Sequence, residues 1–226
     1  MAAANACAWL QGANEKPDTH RNDAWLNIGI AGHGWGKIGA GFLAHRIREK
    51  STGQNWYPAF TFDRPCQSSA LTTVIQPECN YRDNELYDME AVGFFSTCTR
   101  FSSIELVHCF KVVSDNHNSG IERINEAIVE EIIQDQLTTI SHIIEKLTAV
   151  QQQLAKLQQA PHLFHQCLKR WNFSHYQGKQ LHQYLSRWQT LTGNKKEWPN
   201  EFEHAKNAKQ LLIYLQQQIE QHPVIL

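Results

Sequence analysis

The chain has 226 residues, of which 19% are charged, and a formal net charge of −1 at pH 7. This length suits one large domain, or one domain with a small appendage, and the balanced charge argues against a nucleic-acid or membrane partner. No apolar run approaches the roughly 18 residues that are needed to cross a bilayer. The sequence is therefore expected to be a globular, cytoplasmic protein.

The cysteines favour reduced thiols over a disulfide framework or a zinc site. They are scattered, with no CxxC pair and no tight His/Cys cluster, at positions Cys7, Cys66, Cys79, Cys98, Cys109 and Cys167.

The first part of the chain predicts an α/β sheet. The opening segment MAAANACAWLQG lacks the basic start of a signal peptide and reads as an Ala-rich helix. Short apolar runs bounded by Gly and Pro then predict strands at 24–34, 38–47, 68–77, 86–87 and 104–113, with a loop at 54–65. A helix is expected from about Glu90 to Arg100. Strands that alternate with helices are typical of an α/β fold.

From Gly120 the pattern becomes helical, with apolar residues at three- and four-residue steps as far as Gln158. One unbroken helix of that length would measure about 58 Å, against a radius of gyration of about 17 Å for a compact chain of this size. A break or bend is therefore expected near Gln151. Pro161 marks a boundary, which divides the chain into an α/β domain at 1–158 and a helical C-terminal extension at 159–226.

The extension is Gln-, His- and Trp-rich. Ser174 is expected to cap a helix over 175–191, and Asn200 with Glu203 to begin the last one. Its basic residues among aromatics allow a nucleic-acid platform: Lys169, Arg170, Lys179 and Arg187. The favoured alternative is a helical cap that packs against the main domain or a partner through Leu168, Trp171, Leu181, Tyr184, Leu185 and Trp188.

Three predicted strand ends carry residues suited to chemistry: Gly32-His33-Gly34, Asp88-Met89-Glu90 and Ser114-Asp115-Asn116. In open α/β sheets, ligands bind outside the carboxyl ends of the strands. Two carboxylates placed there can divide the work between holding a polyol and acting as a general acid. The alternatives are that Asp88 and Glu90 only favour a helix N-terminus, that Asp115 is only an N-cap, and that His33 is a surface residue.

The segments NIGIAG, YDMEAVGFF and KVVSDN, in this order, resemble three motifs of the nucleoside phosphorylase superfamily. The resemblance is to the branch of purine nucleoside phosphorylases and methylthioadenosine nucleosidases, and it covers roughly residues 1 to 155. It implies a three-layer α/β/α sheet and cleavage of the N-glycosidic bond of a purine nucleoside by water or phosphate.

The resemblance also implies roles for particular residues. Glu90 matches the glutamate that hydrogen-bonds the ribose hydroxyls, Met89 the methionine that packs on the sugar, and Asp115 the aspartate that protonates the leaving base. Gly32 matches the loop beside the sugar and the nucleophile. Asp88, His33 and Lys111 complete the expected substrate-binding set. No metal or other cofactor is implied, apart from inorganic phosphate as an alternative co-substrate, and a homo-oligomer, a dimer or larger, is expected.

The sequence departs from the family in three places. MAAANACAWLQG resembles the family's first helix, so the preceding strands are expected to be absent, which would leave an exposed sheet edge. Lys111 stands where the nucleosidases carry arginine, and Ala40 where an aspartate is common. The chain is then a fragment, the product of a late start codon or a degenerate member. A second hypothesis follows: a non-catalytic nucleoside-binding protein that uses its helical tail for a partner.

Overall fold

The computed structural model describes residues 23–157, 159–192, 202 and 204–221. The chain divides into two compact units between residues 157 and 158. Within the described ranges, no helix is long and apolar enough to cross a membrane. The segment MAAANACAWLQG and the expected helix start at Asn200 and Glu203 lie outside these ranges.

The first unit is a mixed α/β structure. Its strands are β1 (Trp25–His33), β2 (Gly41–Glu49), β3 (Asn55–Trp56), β4 (Gln67–Thr73), β5 (Leu86–Asp88) and β6 (Val107–Asp115). Its α-helices are α1 (Ala91–Cys98), α2 (Glu126–Gln134) and α3 (Leu137–Leu157). The five predicted strands and the helix after Glu90 are confirmed, with shifted ends. The expected strand start at 104 is wrong, because Ile104–Leu106 forms a 3₁₀ turn.

The sheet is closed rather than open. Its order is β3-β2-β4-β5-β1-β6, and β2 pairs with β6 as well, so β2, β4, β5, β1 and β6 form a ring. β1 and β6 run parallel, whereas β5 runs antiparallel to β1 and β2 antiparallel to β6. Gly41 lets β2 approach β6, since a Cβ there would lie 2.5 Å from Cζ of Phe110. The three-layer α/β/α arrangement that the resemblance implies stays a prediction.

Strand β6 joins two apolar clusters, because successive side chains of a strand point to opposite faces. All nine of its residues are buried. Cys109 and Val113 pack with α1, in a cluster that includes Phe94 and Phe95. Phe110 and Val112 pack with the helices α2 and α3, in a cluster that includes Ile132, Ile140, Ile143 and Leu147.

The long helical pattern is interrupted earlier than expected. Residues Ile121–Arg123 form a 3₁₀ turn, and α2 begins at Glu126, where the side chain of Asn125 accepts a hydrogen bond from the backbone N–H of Ile128. A turn at Asp135 and Gln136 separates α2 from α3, and α3 runs on through Gln151. The expected break near Gln151 is therefore wrong, and a bend there stays a prediction.

The described part of the second unit contains the helices α4 (Phe164–Arg170), α5 (His175–Leu191) and α6 (Ala208–Gln221). The predicted helix over 175–191 is confirmed, and Ser174 and Gln177 form a capping box at its start. The unit has an apolar core of its own, which includes Trp171, Leu181, Leu185 and Trp188. Leu168, by contrast, is 41% exposed and does not belong to that core.

Candidate functional site

A cavity of about 480 Å³ lies in the first unit, beside the ends of β5 and β6. Its walls come from β1, the segment that follows β4, the β5–α1 junction, β6 and the region 121–133. The lining residues are Ile28, Gly29, Ile30, Ala31, Gly32, Val74, Pro77, Glu78, Tyr87, Asp88, Met89, Glu90, Lys111, Ser114, Asp115, Ile121, Ile124, Val129 and Ile133. Six of the seven expected site residues are therefore brought together here, and His33 is not among them.

Asp115 reaches the cavity at an irregularity in β6. Ala31 of β1 faces Val113, but the next residue, Gly32, faces Asp115, so Ser114 is the extra residue of a bulge. Bulges redirect side chains, and here both Ser114 and Asp115 line the cavity. No helix of the described chain begins at Asp115, because the next ones start after Gly120 and Asn125. The N-cap alternative is therefore wrong.

Both oxygens of the Asp115 carboxylate accept hydrogen bonds. The hydroxyl of Ser114 donates to Oδ1 at 2.5 Å, and the hydroxyl of Tyr81 donates to Oδ2. Asp115 is only 4% exposed. The group is thus held rigidly at the cavity wall.

Tyr81 was not anticipated from the sequence. It lies in the polar segment ECNYRDNE, where a tyrosine gives no periodic signal, yet it is 3% exposed. Its ring packs against Tyr87 and His117 at centroid distances of 5.9 and 5.4 Å. Burial, and then the hydrogen bond to Asp115, raises the pKa of Tyr81, so its hydroxyl remains protonated and donates.

Gly32 makes room for the Tyr81–Asp115 contact. A Cβ at this position would lie 2.7 Å from Cε1 of Tyr81 and 2.8 Å from Oδ2 of Asp115. Any side chain at residue 32 would therefore displace one of the two groups.

Asp88 and Lys111 form a buried ion pair in the cavity wall. Nζ of Lys111 lies 2.9 Å from Oδ2 of Asp88, and both side chains are 3% exposed. Asp88 also accepts hydrogen bonds from the Thr73 hydroxyl at 2.7 Å and from the backbone N–H of Ala91 at 2.9 Å. Asp88 thus ties β4, β6 and the start of α1 together, which supports the helix N-terminus alternative for this residue.

Glu90 and Met89 differ from Asp88 in being open to the cavity. Met89 is 52% exposed, and Glu90 is exposed at the N-cap position of α1. Among the described residues, the Glu90 carboxylate has no hydrogen-bond or ion-pair partner. This carboxylate is consequently available to accept hydrogen bonds from a ligand.

His33 has a different place from the one expected. Its Nδ1 accepts hydrogen bonds from the backbone N–H of Gly36 at 2.9 Å and of Trp35 at 3.3 Å, and its ring stacks on Phe42. It is 6% exposed, and this burial lowers its pKa. His33 therefore shapes the turn after β1, and the surface alternative is wrong.

The described lining is rich in carboxylates. Glu78, Asp88, Glu90 and Asp115 face one cation, Lys111, which is already paired with Asp88. Glu78 is paired with Lys50 outside the lining. In the part of the chain that the structure describes, no group of three or more His, Cys, Asp or Glu side chains has the arrangement of a metal site.

No protein-family model and no curated protein matches this chain. The chain is similar to solved structures of CT263 (MTAN) from Chlamydia trachomatis. One of them covers 58% of this chain and 68% of that chain, with 19% identity and a TM-score of 0.44. The match to the structure bound to MTA covers 59% of this chain and 66% of that chain, with 16% identity and a TM-score of 0.37. The match to the structure bound to adenine covers 58% of this chain and 65% of that chain, with 17% identity and a TM-score of 0.38.

Proposed function

We propose that this chain binds a purine nucleoside or a related nucleoside in the cavity and cleaves its N-glycosidic bond. The observation that carries the proposal is the placement of two carboxylates on one cavity in opposite environments. Asp115 is buried and hydrogen-bonded, whereas Glu90 is exposed and has no partner among the described residues. A reaction that protonates one end of its substrate and holds the other end needs two carboxylates in such different environments.

Asp115 is proposed as the general acid. Cleavage builds negative charge on the departing base, and a proton delivered to the base neutralises that charge. Because Asp115 is fixed by Ser114 and Tyr81, it needs no reorientation when the base leaves. General acid catalysis of this kind is typically worth about 10² to 10⁴ in rate.

Glu90 and Met89 are proposed to hold the sugar. The open Glu90 carboxylate accepts hydrogen bonds from the ribose hydroxyls, and its negative charge favours the oxocarbenium character that develops on the sugar. The exposed side chain of Met89 packs against the ring, because an unbranched thioether adapts to irregular apolar surfaces. Lys111 and Asp88, each satisfied by the other, are proposed to support this wall.

Water is proposed as the nucleophile in preference to phosphate: its oxygen bonds to the sugar carbon as the bond to the base breaks, and the proton that it releases replaces the one that Asp115 gives to the base. Phosphate recognition relies on cations or on clustered backbone N–H groups. The described lining offers one cation, which is already neutralised by Asp88, beside three further carboxylates. An anionic co-substrate would meet net repulsion there.

The experiment is base release from a panel of purine nucleosides, measured with and without phosphate. Asp115→Asn is expected to lower kcat by about 10² to 10⁴. Glu90→Gln is expected to lower kcat/KM by roughly 10- to 100-fold, since a hydrogen bond to a charged group is worth about 1.5–3 kcal/mol. Matched controls are Asp63→Asn and Glu130→Gln, which are exposed carboxylates outside the cavity.

Each outcome of this assay has a defined meaning. Release that needs phosphate overturns hydrolysis in favour of phosphorolysis. A folded chain that binds a nucleoside by calorimetry, but releases no base from any of the panel, supports instead a non-catalytic nucleoside-binding protein. The homo-oligomer remains a proposal, and light scattering on the eluting protein tests it.

A further inference from the structure

We propose that Tyr81 is a positioning residue that orients Asp115 and thereby affects the pH dependence of base release. This inference rests on the proposed function of Asp115 as the general acid. It starts from the hydroxyl of Tyr81, which donates to Oδ2 of Asp115 while the hydroxyl of Ser114 donates to Oδ1 at 2.5 Å. Tyr81 itself does not line the cavity, so it acts on the substrate through Asp115.

The surroundings of Tyr81 fix its hydroxyl in place. Its ring is held between Tyr87 of β5 and His117 beyond β6, and it is almost fully buried. Gly32 of β1 leaves the space that the ring and the carboxylate occupy together. Three chain segments that are distant in sequence thus surround the Tyr81 ring and direct its hydroxyl toward Asp115.

The chemical consequence follows from what each form of a carboxyl group accepts. An ionised carboxylate accepts hydrogen bonds at both oxygens, whereas a protonated carboxyl group must use one oxygen as a donor. Hydrogen bonds to the charged form favour that form. Because an acid must carry a proton to donate one, removing the Tyr81 hydroxyl is expected to extend base release toward higher pH.

Other charged or titratable groups face this pair. Glu78 and Cys79 are close enough to Tyr81 to act on it electrostatically, and His117 packs on its ring. The Asp88–Lys111 pair and Glu90 line the same cavity as Asp115. All of them remain when Tyr81 becomes phenylalanine. The substitution therefore removes one hydroxyl and keeps the ring and every other charge.

The first measurement is kcat/KM as a function of pH for the parent and Tyr81→Phe. The limb on which activity falls with rising pH is expected to move to higher pH in the variant, because one of two donors to the charged form is lost. The matched control is Tyr57→Phe, the same change at an exposed tyrosine outside the cavity, and its profile should equal the parent's. A variant that loses activity equally at every pH, with both limbs in place, would overturn the inference.

The second measurement needs no activity, so it separates this inference from the proposed function. The side-chain carboxyl ¹³C signals of aspartate are followed against pH in the parent and in Tyr81→Phe, with Asp115→Asn as the assignment control. An Asp115 titration midpoint that moves up in Tyr81→Phe supports the inference even if no nucleoside is cleaved. An unchanged midpoint overturns it, whatever the assay shows.

Circular dichroism first establishes that Tyr81→Phe is folded. If it is not, the parent is examined directly for a Tyr81 hydroxyl proton that exchanges slowly with water. Its presence in the parent and its loss in Asp115→Ala, which removes both acceptor oxygens, would support the hydrogen bond on which the inference depends. Its absence from the parent would overturn that bond.

Discussion

At the scale of single residues, the Asp88–Lys111 pair offers a test that separates support from substrate binding. Lys111→Met is expected to lower the free energy of unfolding by about 3–5 kcal/mol, because it leaves a buried carboxylate without its cation. The double variant Lys111→Met with Asp88→Asn should regain part of that loss. Urea unfolding measures both, with Lys37→Met, an exposed lysine, as the control.

The result also bears on the substrate-binding role first expected for Lys111. If Lys111→Met leaves the stability unchanged and instead raises KM for a nucleoside, the supporting role is wrong and Lys111 contacts the ligand.

His108 provides a pH prediction. It is fully buried and stacked on Phe60, and burial lowers its pKa to about 4. Its Nε2 donates a hydrogen bond to the carbonyl of Glu105, while Nδ1 has no hydrogen-bond partner among the described residues. Since the unfolded chain takes up this proton near pH 6.5 and the folded chain only near pH 4, the free energy of unfolding falls as the pH drops through that interval. The loss approaches about 3 kcal/mol.

Urea unfolding at several pH values between 7 and 4.5 measures this dependence. His108→Leu is expected to weaken it, whatever the change does to stability at pH 7. If the free energy of unfolding depends equally on pH in the parent and the variant, His108 is not the cause of that dependence.

The sequence could point to part of the site for physical reasons. Asp115 ends an apolar strand and Glu90 follows one. Because polar groups concentrate at strand ends along a sheet edge, the sequence indicates both residues as candidates for the site. The Tyr81 hydroxyl, the Asp88–Lys111 pair and the turn held by His33 depend on contacts made between segments in three dimensions. No local pattern encodes such contacts, and His33 was accordingly misplaced.

At the scale of elements, the capping box before α5 gives a local test. Ser174→Ala removes the acceptor for the backbone N–H of Gln177, and is expected to lower the free energy of unfolding by about 1 kcal/mol. Gln183→Ala, at an exposed position within the same helix, serves as the control and should be neutral or slightly stabilising. Equal effects from the two substitutions would contradict a capping role.

The same scale shows where periodicity reaches its limit. The apolar rhythm runs unchanged from α2 into α3, yet the helix is interrupted at Gln136, whose side-chain Nε2 donates to the carbonyl of Gly39 at 2.9 Å. That contact spans 97 residues of sequence. The start at Asn125 did carry a local signal, an Asn followed by Glu, whereas the interruption and the closure of β2 on β6 carried none.

At the scale of the whole molecule, the two units have separate apolar cores. Leu185 is fully buried in the helical unit, so Leu185→Ala is expected to lower the stability of that unit by about 2–5 kcal/mol. Hydrogen exchange should then rise in α4, α5 and α6 and change little in β1, β4 and β6. Equal loss of protection throughout both units would contradict this division of the cores.

The pairing of β1 has a consequence for synthesis on the ribosome. Its neighbours are β5 and β6, which begin at Leu86 and Val107, so β1 is made more than 50 residues before either of them. At about 5–20 residues per second, the apolar β1 segment waits several seconds without a partner. Pairings this distant in sequence also slow folding. The rate of translation through residues 34–115 should therefore influence how much of the nascent chain reaches the closed sheet.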